Sequence, residues 1–84
     1  MSYSLQISRR AQRELAQLSD ECYSQAKGSI WSLADNPRPH GCAKLKARDG
    51  WRIRVGDYRV IYDIDDEQKI VTIVHIGHRR DVYR

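Results

Sequence analysis

The residues best suited to chemistry are arginines, and they are grouped. Arg52, Arg54 and Arg59 fall within WRIRVGDYR, and Arg79, Arg80, His78 and Tyr83 fall within GHRRDVYR. Trp51, Ile53 and Val55 alternate with Arg52 and Arg54, while Tyr58, Val60 and Tyr62 alternate with Arg59 and Ile61. Gly56-Asp57 between the two runs is a two-residue hairpin signal. If those two residues form the loop, Val55 pairs with Tyr58, Arg54 lies opposite Arg59, Ile53 faces Val60 and Arg52 faces Ile61. Three guanidiniums then share one sheet face, and the apolar set takes the other. Like charges directly opposite destabilise a sheet by a few tenths to about 1 kcal/mol. One reading is a solvated face in which Arg59 reaches Asp57 or Asp63. The other is a phosphate site, since arginine offers a fixed charge and bidentate donors. The basic tail with Tyr83 suits single-stranded nucleic acid, where charge holds the backbone and a ring stacks on a base. Equally, Tyr83 serves to anchor a fraying end.

These groups need a frame. Tyr3, Leu5 and Ile7 alternate with polar residues as a half-buried strand does. Ser8 is a candidate N-cap for a helix on RRAQRELAQL, with Ala11, Leu15 and Leu18 as its buried stripe. Ser19-Asp20 restarts the signal, and Cys22, Ala26, Ile30 and Leu33 recur at helical spacing until Asn36-Pro37 ends the second helix. The helical hairpin therefore covers residues 9–35. After a loop through His40-Gly41 come the two arginine-bearing strands, a polar turn at Asp65-Asp66-Glu67-Gln68, and a strand from Lys69 to Ile76. That last strand is apolar on both faces, as a central strand is, so His75 within it reads as structural. The expected architecture is one α+β domain on residues 1–84. Its order is β-α-α-β-β-β, with the helical hairpin packed on one face of a small antiparallel sheet.

Composition narrows the function. The chain has 84 residues with 15 Lys and Arg against 11 Asp and Glu, a net charge of +4. Residues 1–42 contribute a net of +1 and residues 43–84 a net of +3, so a polyanion site is expected in the second half. The longest apolar stretch, from Ile70 to Ile76, is far short of the roughly twenty residues a membrane span requires, and the N-terminal stretch lacks the apolar core of a signal peptide. Cys22 and Cys42 are too few for a disulfide scaffold. With the three histidines they make no metal pattern. A cytoplasmic protein with reduced thiols, no metal, no cofactor and no membrane partner is expected.

The strings WRIRVGDYRVIYDID and HIGHRRDVYR, following a helical hairpin that closes in NPRPHG and KL, resemble the RelE family of the RelE/ParE toxin-antitoxin superfamily. The G-x-Y-R-x-x-Y hairpin of Gly56, Tyr58, Arg59 and Tyr62 and the G-H-R-R-D-V-Y ending carry the resemblance most specifically. It implies a fold like that of microbial ribonucleases and a metal-independent endoribonuclease, an mRNA interferase. The family cuts mRNA in the ribosomal A site by attack of a 2′-hydroxyl on the adjacent phosphate, and so inhibits translation. On that resemblance Arg59 stabilises the phosphorane, Arg79 assists the departing 5′-oxygen and Tyr83 orients the cut nucleotide. Arg52, Arg54 and Arg80 hold RNA phosphates. The family's basic pair is lysine in its best-studied pattern, and Arg52 and Arg54 stand there instead. An arginine hardly ever gives up its proton; His78, the one histidine of the motif, is then the side chain suited to acid–base work. The resemblance also implies a cognate RelB-like antitoxin, the ribosome and mRNA as partners, and operator DNA contacted only through the antitoxin complex. Two other functions remain open at this point: a ParE-like, non-catalytic poison of DNA gyrase, and an inactive relative acting only in the antitoxin complex.

Overall fold

The computed structural model describes residues 3–78. Strand β1 (Ser4–Ile7) leads into helix α1 (Arg9–Ala16) and helix α2 (Asp20–Ser32), followed by strands β2 (Ala43–Lys44), β3 (Trp51–Val55), β4 (Tyr58–Asp65) and β5 (Ile70–His78). Both helices start where their capping residues place them. The hydroxyl of Ser8 accepts the N–H of Ala11 at 3.0 Å, and that of Ser19 accepts the N–H of Cys22 at 3.2 Å. Each serine satisfies one of the backbone donors that a helix N-terminus leaves unpaired.

The sheet order is β1-β5-β4-β3-β2. The pairs β2–β3, β3–β4 and β4–β5 are antiparallel, but β1 runs parallel to β5, with Leu5 beside Val71 and Ile7 beside Ile73. The sheet is therefore mixed, whereas its strand pattern predicts an antiparallel one. The helical hairpin carries the chain across one face to the far edge, and three antiparallel turns bring it back in the direction of β1. Strand β2, an addition to the expected order, contributes only Ala43 and Lys44, opposite Arg52 and Trp51. Strand β5 runs two residues beyond Ile76. It begins one residue later than expected, because Lys69 takes a left-handed φ of 59° and belongs to the turn.

Ala11 and Leu15 of α1 and Ala26 and Ile30 of α2 pack with Leu33 on Ile53, Val55, Val60, Tyr62, Val71, Ile73 and Ile76. This is the helix side of the sheet. Two features hold the connections onto it. Gly50 has a φ of 126°, and a Cβ there would meet Asp63 Oδ1 at 3.1 Å and the Tyr62 carbonyl at 3.3 Å, so only glycine fits the entry to β3. The fully buried Tyr62 donates its hydroxyl to the Pro37 carbonyl at 2.7 Å, tying the loop after α2 to the centre of the sheet. Burial, with the Cys42 thiol nearby, pushes this phenol well above its usual range and keeps it a neutral donor.

On the surface, Asp66 takes a bidentate pair from Arg38, at 2.9 and 3.3 Å, and the Tyr3 hydroxyl at 2.7 Å. The Arg38 guanidinium, helped by Tyr3, holds this carboxyl down at about 2.

Two measurements probe these ties. Tyr62→Phe leaves the buried Pro37 carbonyl without its donor and is expected to lower stability by about 1–3 kcal/mol in urea denaturation. Asp66 has a folded-state pKa below its unfolded one, so its contribution is complete above about pH 4 and is lost as pH falls towards 2. An acid titration of stability is expected to show that loss in the wild type and a shallower one in Asp66→Asn.

Candidate functional site

The β3–β4 hairpin is the frame of the site. Gly56 has a φ of 59° and Asp57 a negative one, the pattern of a type II′ turn, whose twist matches that of the flanking strands. Val55 pairs with Tyr58, Arg54 with Arg59, Ile53 with Val60 and Arg52 with Ile61, which is the register the turn length implies. Val55 and Tyr58, flanking the turn, form the hydrogen-bonded pair. Arg54 and Arg59 are thus the next, non-hydrogen-bonded pair, in which Cα atoms approach to about 4.5 Å and side chains lie closest.

Arg52, Arg54 and Arg59 stand together on the sheet face turned away from the helices. Arg54 is exposed, and Arg52 and Arg59 are half-buried. Neither Arg52 nor Arg54 forms an ion pair among the described residues, where Arg10–Glu14, Arg38–Asp66 and His75–Glu14 are found. The same face holds Ile61, which is 3% exposed yet lies outside the helix-side core, so the arginines surround a closed apolar centre rather than a fully wetted sheet. Beyond the short β2, this positive surface continues over the outer edge of β3 into a cleft of about 570 Å³. Among the described residues, Ser29 and Ser32 of α2, His40, Gly41, Arg52 and Arg54 line it, and no carboxylate does. A backbone phosphate is the group such a surface can hold. The sequence reading did not single out His40. Its only signal is its place in NPRPHG, just after the prolines that end α2.

Strand β5 decides where the histidines go. Between β4 and β5 the register shifts: Tyr62 pairs with Ile73 but Ile61 pairs with His75, leaving Val74 as a bulge. With plain alternation His75 would follow Val71 and Ile73 to the helix side. The extra residue sends it to the arginine side instead, beside Ile61. His78 is moved the other way. It pairs with Tyr58, on the helix side, their rings edge to face at 5.6 Å, while the partner of Arg59 is Gly77. The structure thus brings Arg52, Arg54 and Arg59 together, sets His75 on their face of the sheet by register but with its ring against Glu14 of α1, and sets His78 on the opposite side of the strand. Arg79, Arg80 and Tyr83 lie outside the described residues.

Past Ile73, where β1 ends, the edge of β5 opens into a cleft of about 450 Å³ lined by Arg10, Glu14, Tyr58, His75 and His78 among others. Glu14 of α1 fills the missing strand's role there, its Oε1 accepting the N–H of Ile76 at 2.9 Å.

Comparison with known proteins agrees with this architecture. Residues 5–83 match the model of the ParE toxin of the type II toxin-antitoxin system parDE. Toxin RelG of Mycobacterium tuberculosis is 30% identical over 86 residues, covering 100% of this chain and 99% of that protein. The mRNA interferase toxin RelE of Escherichia coli K12 is 26% identical over 94% of this chain and 85% of its own. Among solved structures, the archaeal RelE–RelB complex of Pyrococcus horikoshii superposes with a TM-score of 0.86 at 27% identity, covering 98% of this chain and 100% of that one. A helical hairpin on a mixed sheet with a basic hairpin face, matched along nearly its whole length by these toxins, makes the chain a RelE-type member of the RelE/ParE family of type II toxin-antitoxin toxins.

Proposed function

We propose that this toxin is a ribosome-dependent mRNA endoribonuclease that stops translation in the cytoplasm and is held in check by a cognate RelB-like antitoxin. The observation that carries the reading is the face of Arg52, Arg54 and Arg59, with two of its guanidiniums free of any carboxylate among the described residues. Two cations set directly opposite each other oppose folding, and a bound phosphate turns that repulsion into attraction. The relative from E. coli is named an mRNA interferase, in keeping with this chemistry.

Catalysis on this surface is electrostatic first. Attack of a 2′-hydroxyl on phosphorus places extra negative charge on the phosphorane oxygens, and Arg59 supplies a preorganised donor for it. Arg52 and Arg54 cannot readily lose a proton, so they act as clamps on the RNA backbone. Arg79 is assigned to the departing 5′-oxygen, Arg80 to a neighbouring phosphate and Tyr83 to stacking on the cut nucleotide. A site this open orients a flexible strand poorly by itself, and the ribosome provides the missing positioning. Neutralisation falls to an acidic antitoxin segment that folds on the toxin. The groove of about 260 Å³ between Leu5, Ile7, Tyr23, Lys27 and Trp31 offers it an apolar seat. Operator DNA is reached through that antitoxin.

Expression alone is expected to arrest growth, and co-expression of an adjacent acidic reading frame to relieve it; unimpaired growth with abundant folded protein would argue for the inactive relative. In a translation extract, ribosome-bound mRNA is expected to be cut at the A site with 2′,3′-cyclic phosphate ends. Because the matching family model is that of ParE, gyrase-linked DNA breaks are scored in parallel. Such breaks with intact mRNA would assign the toxin to gyrase. Arg59→Ala is expected to slow single-turnover cleavage by about 10²–10³-fold, with Arg59→Lys recovering part of it. Arg52→Ala and Arg54→Ala are expected to raise the concentration needed for half-maximal cleavage more than they lower the rate constant.

A further inference from the structure

Attack by a 2′-hydroxyl needs a group that takes its proton, and none of the three arginines does this readily. His78 stands on the helix side, across the strand from them. Two imidazoles remain: His40, exposed in the cleft that Arg52 and Arg54 line, and His75, which lies on their face of β5 and has a carboxylate beside it. We propose that His75 is the proton acceptor of the cleavage step and that Glu14 is its positioning residue, an inference that rests on the ribonuclease reading above.

The geometry runs through two strands and a helix. His75 pairs with Ile61, whose other neighbour is Arg52, and it lies two residues before Gly77, the partner of Arg59. Diagonal neighbours of that kind have backbones about 7–8 Å apart across an antiparallel pair. Gly77 interposes no side chain between them. The His75 side chain is 15% exposed, and its Nδ1 is buried, so the exposure belongs to its other atoms. Nδ1 lies 2.7 Å from Oε2 of Glu14, at ion-pair distance though off the in-line direction of a hydrogen bond. A carboxylate there favours the tautomer with its proton on Nδ1, leaving the Nε2 lone pair for a substrate. Glu14 is itself fixed, its other oxygen taking the Ile76 N–H at 2.9 Å and Arg10 Nε standing 3.4 Å from Oε2. A base set beside a carboxylate that is in turn held by backbone needs only a small ring rotation to become the usual build of an oriented general base.

In the step itself, the 2′-hydroxyl proton passes to Nε2 while the oxygen bonds to phosphorus. The bond from phosphorus to the 5′-oxygen breaks, and that oxygen takes a proton from water. The imidazolium then returns its proton to solvent, so the products are a 2′,3′-cyclic phosphate and a 5′-hydroxyl with no net proton change.

The test is single-turnover cleavage of ribosome-bound message at saturating toxin, with far-UV circular dichroism and thermal melting of each variant. His75→Gln keeps size and polarity and is expected to lose about 10²–10⁴-fold in rate. His75→Ala is expected to regain part of its activity when imidazole is added, a rescue that a purely structural histidine does not show; should the alanine variant fail to fold, the glutamine variant decides. Glu14→Gln retains an acceptor for Ile76 and is expected to lower the rate constant while leaving the half-saturating concentration unchanged. A folded His75→Gln that cleaves at the wild-type rate overturns the proposal, as does a folded alanine variant that imidazole leaves unchanged. If Arg59→Ala is inactive in that same experiment, the ribonuclease reading stands without this base. If the wild-type toxin leaves ribosome-bound message uncut, the reading falls and the base with it.

Discussion

Everything on the working face depends on a turn of two residues. Gly56 at a φ of 59° closes the β3–β4 hairpin at the shortest common length, and that length admits one register. Strand side chains alternate, so a slip of one residue would drive Arg52 and Arg54 against the helices and present Ile53 and Val55 to solvent. The core enforces the same choice from the other side, since Ile53, Val55, Val60 and Tyr62 are the residues that Leu15, Ile30 and Leu33 bury. Turn chemistry and hydrophobic burial therefore agree, and together they hold two arginines in a pairing that electrostatics alone would refuse.

How far the fold could be read from sequence depends on how local each determinant is. The hairpin register was readable because loop length and alternation both lie within fifteen residues. The helix starts were readable because a serine hydroxyl caps an N–H three residues away. The partner of β1 was not, because Leu5 and Ile7 look the same against any apolar neighbour, and only the path of the helical hairpin sends them to Val71 and Ile73. The two-residue β2 carries too few side chains to leave a period.

The histidines show the same limit at the site. Strand β5 is apolar on both faces, so its pattern has no phase, and a bulge within it leaves no trace in the sequence. At Val74 that bulge exchanges the sides of every residue after it. The arginines could therefore be placed from sequence, while His75 and His78 each took the side that alternation denies them. Glu14 was invisible as a neighbour of His75 because the two are brought together only when α1 lies along the end of β5.

The pairing of β1 with β5 also governs the order in which the molecule is completed. Ser4 and Ile70 are neighbours in the sheet although the helices and three strands separate them in the chain. The helical hairpin and the β3–β4 hairpin are local and can form as soon as their own residues exist, but β1 has no strand to join until synthesis has passed Ile73. Contacts of such long range form slowly, because the loop entropy must be lost before the pairing returns anything. A nascent chain can thus display an assembled arginine hairpin before it has a closed sheet. In that interval β5 and its bulge, and with them the placement of both histidines, do not yet exist. The charge of the working face precedes the geometry that could use it, and a partly made copy of this toxin is basic before it is finished.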